Sequence, residues 1–198
     1  MVNRILTCMS LLSVVVLSTG VAHGEKTPEN LARKAKATAS SCFSGQYTPQ
    51  KAIDGSLTGS DWAVKGTKTG EFTLTWAKPI EAAQVVYWAR TTGAEMECFR
   101  EYELYLDDAK TPAIKGGLER RNGPQLINFK KQKVSKIRLK FLSAYWRSPN
   151  PGAAEIAVFS TPVTAKQLAA TVKQFSAPKN QTKAAKHLGI TRYTLRRR

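Results

Sequence analysis

Between residues 70 and 159 the chain runs in short stretches that alternate apolar and polar residues, separated by turn residues. In "EFTLTW", Phe72, Leu74 and Trp76 fall on one face. In "EYELYLDD", Tyr102, Leu104 and Leu106 point inward before a turn at Asp107-Asp108. In "KIRLKF", Ile137, Leu139 and Phe141 alternate with Lys136, Arg138 and Lys140, the pattern of a half-buried antiparallel strand. "AAQVVYWAR" is apolar throughout and reads as a strand covered on both faces; "QLINF" and "AAEIAVF" complete the set. Short strands at this spacing, with hardly any helix, predict a β-sandwich or barrel. One brief helix is predicted at "TPQKAI", with Thr48 as cap and Pro49 in the first position.

The two ends break this pattern. Arg4, the apolar run Ile5 to Leu17 and the small residues of Ala22-His23-Gly24 have the layout of a secretory signal. An uncleaved membrane anchor is the competing reading, although the run is short against the roughly 20 apolar residues of a span. At the other end, Leu168, Val172 and Phe175 have helical spacing, and "APKN" ends that helix. Asn180 or Thr182 then caps "TKAAKHLG", Gly189 makes a turn, and Thr191 caps "RYTLRRR". A small residue at Ala185, a glycine at the turn, and Ile190 and Leu195 closing a little core meet the demands of a helix-turn-helix. The chain therefore divides into a signal at 1–24, a β body at 25–160 and a basic tail at 161–198.

Charge sharpens that division. The formal net charge of the 198 residues is +17, and Val163 to Arg198 contain nine Lys or Arg and no Asp or Glu. About half of the excess sits in the tail, which points it toward a polyanion, either nucleic acid or an anionic surface. Histidine usage excludes much chemistry. His23 lies at the cleavage region and His187 in the tail, so the body has no Ser-His-Asp triad, Cys-His pair or His-rich metal site. A paired-carboxylate hydrolase stays open in principle. Beyond Cys8 in the signal only Cys42 and Cys98 remain, an even pair that in an exported body predicts a disulfide.

The stretch "NLARKAKATASSCFSGQYTPQKAIDGSLTGSDW" resembles the opening of the discoidin family, the coagulation factor V/VIII type C domains, whose fold is shared by family 32 carbohydrate-binding modules. "EFTLTWAKPIEAAQVVYWAR" looks like the strand pair of that family, and "SPNPGAAEIAVF" is similar to its closing strand. The resemblance covers about 130 residues and implies a mainly β fold, an eight-stranded jelly-roll β-sandwich of the galactose-binding type that binds ligands without catalysis. It also implies a structural Ca²⁺ beside the Asp-Gly turn. Asp54 and Glu155 would supply side chains, with carbonyls from around Lys51, Ser56 and Ser60. Such an oxygen shell suits Ca²⁺. "DGSLTGSDW" is one residue longer than the family pattern and has Ser where Asp, Asn or Thr are common. The Cys42–Cys98 pairing is not implied by the resemblance.

Ligand recognition in this family lies on loops at one end of the sandwich. "SAYWRSPNPG" places Tyr145, Trp146 and Arg147 in such a loop, with Trp146 as a plate for a sugar face. Arg90 ends its strand and is a second candidate, with a structural salt bridge as its alternative. Tyr47, Phe43 and Phe99 are placed to flank the site, whereas Trp62 and Trp76 read as core. The expected partner is carbohydrate or a cell-surface glycan, in a secreted or periplasmic setting.

The tail resembles the C-terminal unit of the Fis family over "NQTKAAKHLGITRYTLR". That resemblance implies that Arg192, Tyr193, Thr194 and Arg196 face a major groove, while Lys183, Arg197 and Arg198 contact phosphates. The alternative function is then a cytoplasmic DNA-binding protein with the sandwich as sensor or accessory domain, and membrane association follows only if the signal segment stays uncleaved.

Overall fold

The structure, a computed structural model, describes residues 28–57, 61–92, 95–164 and 167–168. It is an antiparallel, sandwich-like β architecture. The described residues form eight strands: β1 (Lys36–Ala39), β2 (Trp62–Ala63), β3 (Gly70–Thr92), β4 (Glu95–Glu97), β5 (Phe99–Leu106), β6 (Ile114–Gly117), β7 (Pro124–Ala144) and β8 (Gly152–Phe159). Their order is β2-β8-β3-β7-β5-β6, with β1 and β4 each paired to β3.

Two long strands organise the molecule. The stretches "EFTLTW" and "AAQVVYWAR", separate in the alternation pattern, are joined in β3; "QLINF" and "VSKIRLKFL" are joined in β7. Both bend where their register shifts, between Thr75 and Ile80 and between Ala82 and Gln84. The first part of β3 pairs with β1, and its last part pairs with β8. One strand thereby serves both layers, because a bulge re-aims the backbone.

The core follows the predicted faces. Phe72, Leu74, Trp76, Tyr102, Leu104, Leu106, Ile137, Leu139 and Phe141 are all buried. Trp62 packs on Phe72, Phe99 and Phe141, and Phe99 lies stacked on Phe141 with centroids 4.0 Å apart. Each such side chain contributes roughly 1.5–3 kcal/mol by leaving water. Trp62 and Trp76 are core residues, as read from the sequence; their indole N–H groups donate to Ser41 O and Leu31 O. Gly152 permits the closest backbone approach. A Cβ there would stand 1.9 Å from the Trp62 carbonyl oxygen, so only glycine lets β2 lie against β8.

The brief helix is a 3₁₀ turn, Pro49–Ala52. Pro49 opens it as expected, but the Thr48 side chain makes no capping bond. A second 3₁₀ turn, Leu31–Lys34, is capped by the Asn30 side chain, which accepts from Ala32 N–H.

Strand β8 is buried along its whole length. One face joins the main core. The other lies in a second cluster of Leu57, Val86, Trp88, Ala154, Ala157, Phe159, Val163 and Leu168. The chain beyond Phe159 thus returns to cover the sheet, and Val163 N–H donates to the Gln84 side chain at 3.1 Å. The helix-turn-helix expected further on lies outside the described residues, as does the signal segment.

Candidate functional site

One end of the sandwich is built from the loops at 40–48, 65–69 and 145–151 with the end of β3. Arg90 stands there at 5% exposure. Its guanidinium pairs with Glu97 from β4 and donates to the Asn150 carbonyl at 3.0 Å. Asn150 N–H in turn donates to Glu97 Oε1 at 3.3 Å, and its side-chain oxygen accepts from Gly66 N–H at 2.9 Å. Arg90 also lies over the Tyr47 ring, 4.9 Å from its centroid, and Phe43 meets Tyr47 edge-on at 5.6 Å. Arg90 Nε is buried without a hydrogen-bond partner. The buried charge is therefore compensated on one side and leaves a donor unused.

The 145–148 loop projects an aromatic ring from this end. Trp146 is 72% exposed, the most exposed large apolar side chain among the described residues. Arg147 stacks over it at 4.7 Å, from a left-handed backbone (φ 61°). That conformation is uncommon for a side chain other than Gly, Asn or Asp. It is held by a turn in which Ser148 N–H donates to Tyr145 O. Ser148 itself is buried and accepts from Cys98 N–H.

Arg90, Tyr47, Trp146 and Arg147 thus stand on the loops of one end, whereas two other residues read from the sequence do different work. Tyr145 is half-buried against the core and donates its hydroxyl to Leu118 O at 2.9 Å, which anchors the loop. Phe99 is fully buried, because its place on β5 turns it under Phe141. Glu97 and Asn150 escape sequence reading. Their roles depend on β4 folding back on β3 and on a loop closing over it.

The expected disulfide is not formed. Cys42 and Cys98 are free thiols. Cys98 points into the core at 0% exposure, among the rings of the main cluster, while Cys42 packs at the rim of that cluster. Burial pushes the Cys98 thiol up to about 11, and Cys42 is raised for the same reason.

The Asp54-Gly55 turn forms a second site beneath β8. Glu155 is completely buried and accepts from Asn30 Nδ2 at 3.1 Å and from Gly55 N–H at 3.2 Å. Asn30 Oδ1 also accepts from Val158 N–H, so one amide ties the first 3₁₀ turn to β8 and to the carboxylate. Gly55 has φ 79°, which presents its N–H to Glu155. Asp54 accepts from Ser56 N–H at 2.8 Å. Desolvation, then the neighbouring Asp54, holds the Glu155 carboxyl well above its usual range. Asp54 is also raised by burial, against smaller opposing effects of Ser56, Lys51 and Arg33. The exposed Asp54 lies close enough to the buried Glu155 to repel it, and among the described residues neither has an ion-pair partner. The donors are all oxygen, and no third Asp, Glu, His or Cys joins them among the described residues. Such a set fits a hard cation completed by carbonyls. Ser56 meets Asp54 through its N–H and the Lys51 charge lies near that carboxylate; Ser60 lies outside the described residues.

Residues 30–159 match the family model described as Domain of unknown function (DUF7402). The chain belongs to that family. The DUF7402 domain covers both loop sites, and a separate match to the model described as Bacterial regulatory protein, Fis family, spans residues 179–198. Among curated proteins, none matches the chain. Three solved structures are similar to the DUF7402 domain in fold. One is a module of Clostridium perfringens, CpGH89CBM32-5, in complex with GalNAc-β-1,3-galactose, at 24% identity and TM-score 0.58, covering 66% of this chain and 99% of that one. The family 32 carbohydrate-binding module of C. perfringens NanJ, in complex with galactose, matches at 20% identity and TM-score 0.56, over 65% and 95% of the two chains. A Streptococcus pneumoniae fucose-binding module matches at 20% identity and TM-score 0.55, over 68% and 96%. The DUF7402 domain thus has the carbohydrate-binding-module fold of the discoidin, galactose-binding type. Lys183, Arg192, Tyr193, Thr194, Arg196, Arg197 and Arg198 lie outside the described residues.

Proposed function

We propose that the protein is an exported, non-catalytic glycan-binding protein whose ligand seats on the loops around Trp146 and Arg90. The observation that carries this is Trp146 itself: a tryptophan 72% exposed on a turn anchored beneath by Ser148 and Tyr145, beside a buried arginine with an unused donor. A lone exposed tryptophan is ordinary on a surface, but this one stands with Arg147 stacked on it and Arg90 and Tyr47 on the same end, a combination that supports a ligand site. The ring offers a plate for the C–H face of a sugar, and Arg90, Asn150 and Glu97 provide planar hydrogen-bonding groups. Galactose, GalNAc-galactose and fucose, bound by the similar structures, are the first ligands to try. Retention of the wild-type chain in affinity electrophoresis through galactose-bearing polymer, lost in Trp146→Ala with an unchanged melting temperature, is the expected result. Unchanged retention of the variant removes Trp146 from the site.

The Asp54–Glu155 pocket is the proposed seat of a structural Ca²⁺. A fully buried Glu155 carboxylate beside the exposed Asp54 of the turn supports it, since a cation would relieve the desolvation of Glu155 and the repulsion between the two. The match of residues 179–198 to the Fis model favours a second reading, in which the tail binds DNA. Fractionation with N-terminal sequencing separates the two settings: a periplasmic or secreted chain starting near Glu25 supports export, and a cytoplasmic full-length chain supports a DNA-binding protein.

A further inference from the structure

The end of the sandwich opposite the Trp146 loops carries a cluster of lysines. Four residues of β3, Trp76 to Pro79, bulge out opposite Ser135 of β7, between the Thr75–Lys136 and Ile80–Val134 pairs. Lys78 stands exposed on that bulge. On β7, Lys130, Lys131, Gln132 and Lys133 form an unbroken exposed run, and Lys133 pairs in register with Glu81 of β3. Lys131 is paired with Glu81 at 2.8 Å and Lys136 with Asp108 at 2.5 Å. Asp107 is occupied by the Ser135 and Lys136 N–H groups. Among the described residues Lys78, Lys130 and Lys133 have no ion pair. The run Lys130-Lys131-Gln132-Lys133 contains no apolar residue; the core contacts here come from its neighbours Phe129 and Val134, and Lys133 acts on Glu81 only at a distance.

After β8 the chain passes Gln84 and then packs Leu168 into the cluster of Trp88 and Phe159. Val163 N–H is held by Gln84, whose amide donates to Asn128 at 2.7 Å, and Asn128 lies two residues before Lys130 on β7. From Leu168 to Lys179 the linking chain spans at most about 40 Å when fully extended. The tail, with nine basic residues and no acidic one, is thus joined to the sandwich by a link long enough for a polyanion it holds to reach the lysine cluster.

We propose that Lys78, Lys130 and Lys133 form an accessory contact surface for the phosphodiester backbone of a nucleic acid held by the tail. Charge complementarity selects a polyanion. The Fis match selects nucleic acid among polyanions, and in that respect the inference rests on the DNA-binding reading of the tail. The lysines read no bases; they add phosphate contacts, each worth roughly −0.9 in the slope of log affinity against log salt.

The test measures binding of the full chain to a labelled DNA duplex of random sequence across a salt series. Lys78→Gln/Lys130→Gln/Lys133→Gln is compared with Arg196→Gln/Arg197→Gln/Arg198→Gln, with melting temperature and galactose-polymer retention as checks on the fold. Each triple variant is expected to weaken binding and to flatten the salt slope by about 2 to 3, and Lys→Arg replacements at the three sandwich positions are expected to retain it. A sandwich variant with wild-type affinity and slope, beside a weakened tail variant, overturns the proposal and leaves the tail reading standing. Absence of duplex binding by the wild-type chain overturns both. Binding to phosphatidylglycerol vesicles that the lysine variant loses, with duplex binding unchanged, overturns the proposal in favour of a membrane surface.

Discussion

Arg90 of β3 and Glu97 of β4 form an ion pair that is almost wholly buried beneath the ligand loops. The pair joins the two strands at the point where the Asn150 loop closes on them. Removing one partner leaves the other charge in a poorly solvated place, which costs about 3–5 kcal/mol.

Glu97→Leu and Arg90→Leu are each expected to lower the melting temperature markedly, and the double leucine variant to recover most of the loss. Sugar retention separates structure from recognition. The double variant should be stable yet fail to retain glycan, because the Arg90 donors are gone. Full retention by the double variant would show that Arg90 only braces the loops.

The Glu155 pocket gives stability an unusual pH slope. Its folded-state carboxyl is held above the unfolded value, so the native state binds a proton more readily than the unfolded chain. In the presence of chelator, the contribution of this one carboxyl to stability is therefore fully present below the ordinary carboxylate range, whereas the ion-paired Glu81, Glu103 and Asp108 act in the opposite sense there. The Glu155 contribution falls as pH rises from there toward the raised value. Added Ca²⁺ should relieve that fall by binding only the native state. Glu155→Gln should raise the neutral-pH melting temperature of the chelated protein and abolish its response to Ca²⁺. A melting temperature indifferent to chelator at every pH rejects the site.

The inward faces of β3, β5 and β7 are legible because a period of two survives any bend in the strand. Joining two readable strands into one β3 is not legible, since Ala77-Lys78-Pro79 looks like a turn and is instead a bulge. Trp146 could be picked out because a tryptophan flanked by Ser, Arg and Pro has no apolar period to join. Glu97 and Asn150 carry no such mark, being ordinary polar residues whose partners lie 53 positions apart. Asn30 is similar: its one amide caps a 3₁₀ turn and holds Glu155, 125 residues away. The disulfide expectation is not met, since both thiols are free and cysteine parity says nothing about burial, which puts Cys98 in the core and Cys42 at its rim.

The two thiols are expected to differ in reactivity. In native protein without reductant, Cys42 should be alkylated and Cys98 protected, since the latter is buried and its thiolate is disfavoured. Both should react once the chain is unfolded. Peptide mapping that finds Cys42 joined to Cys98 in the native protein would overturn the arrangement.

Val163 and Leu168 close the second apolar cluster over Trp88 and Phe159, so the sandwich depends on chain beyond its last strand. Leu168 is 4% exposed and Val163 6%. Truncating a leucine packed in this way costs about 2–5 kcal/mol, the upper end applying where the surroundings cannot collapse into the space. Leu168 is expected toward the lower end, since it covers a sheet from outside and the helical turn carrying it can shift. Leu168→Ala should lower the melting temperature by several degrees without touching glycan retention, as no residue of the Trp146 loops belongs to that cluster. Ending the chain at Ser160 should cost more, by uncovering the outer face of β8 and removing the hydrogen bond from Val163 to Gln84. A chain ending at Ser160 that melts with the full protein would mean that the returning segment adds nothing to the fold. The tail would then be an independent appendage on a flexible link. A loss in both variants makes residues 161–168 part of the sandwich, and fixes the point from which the basic tail departs.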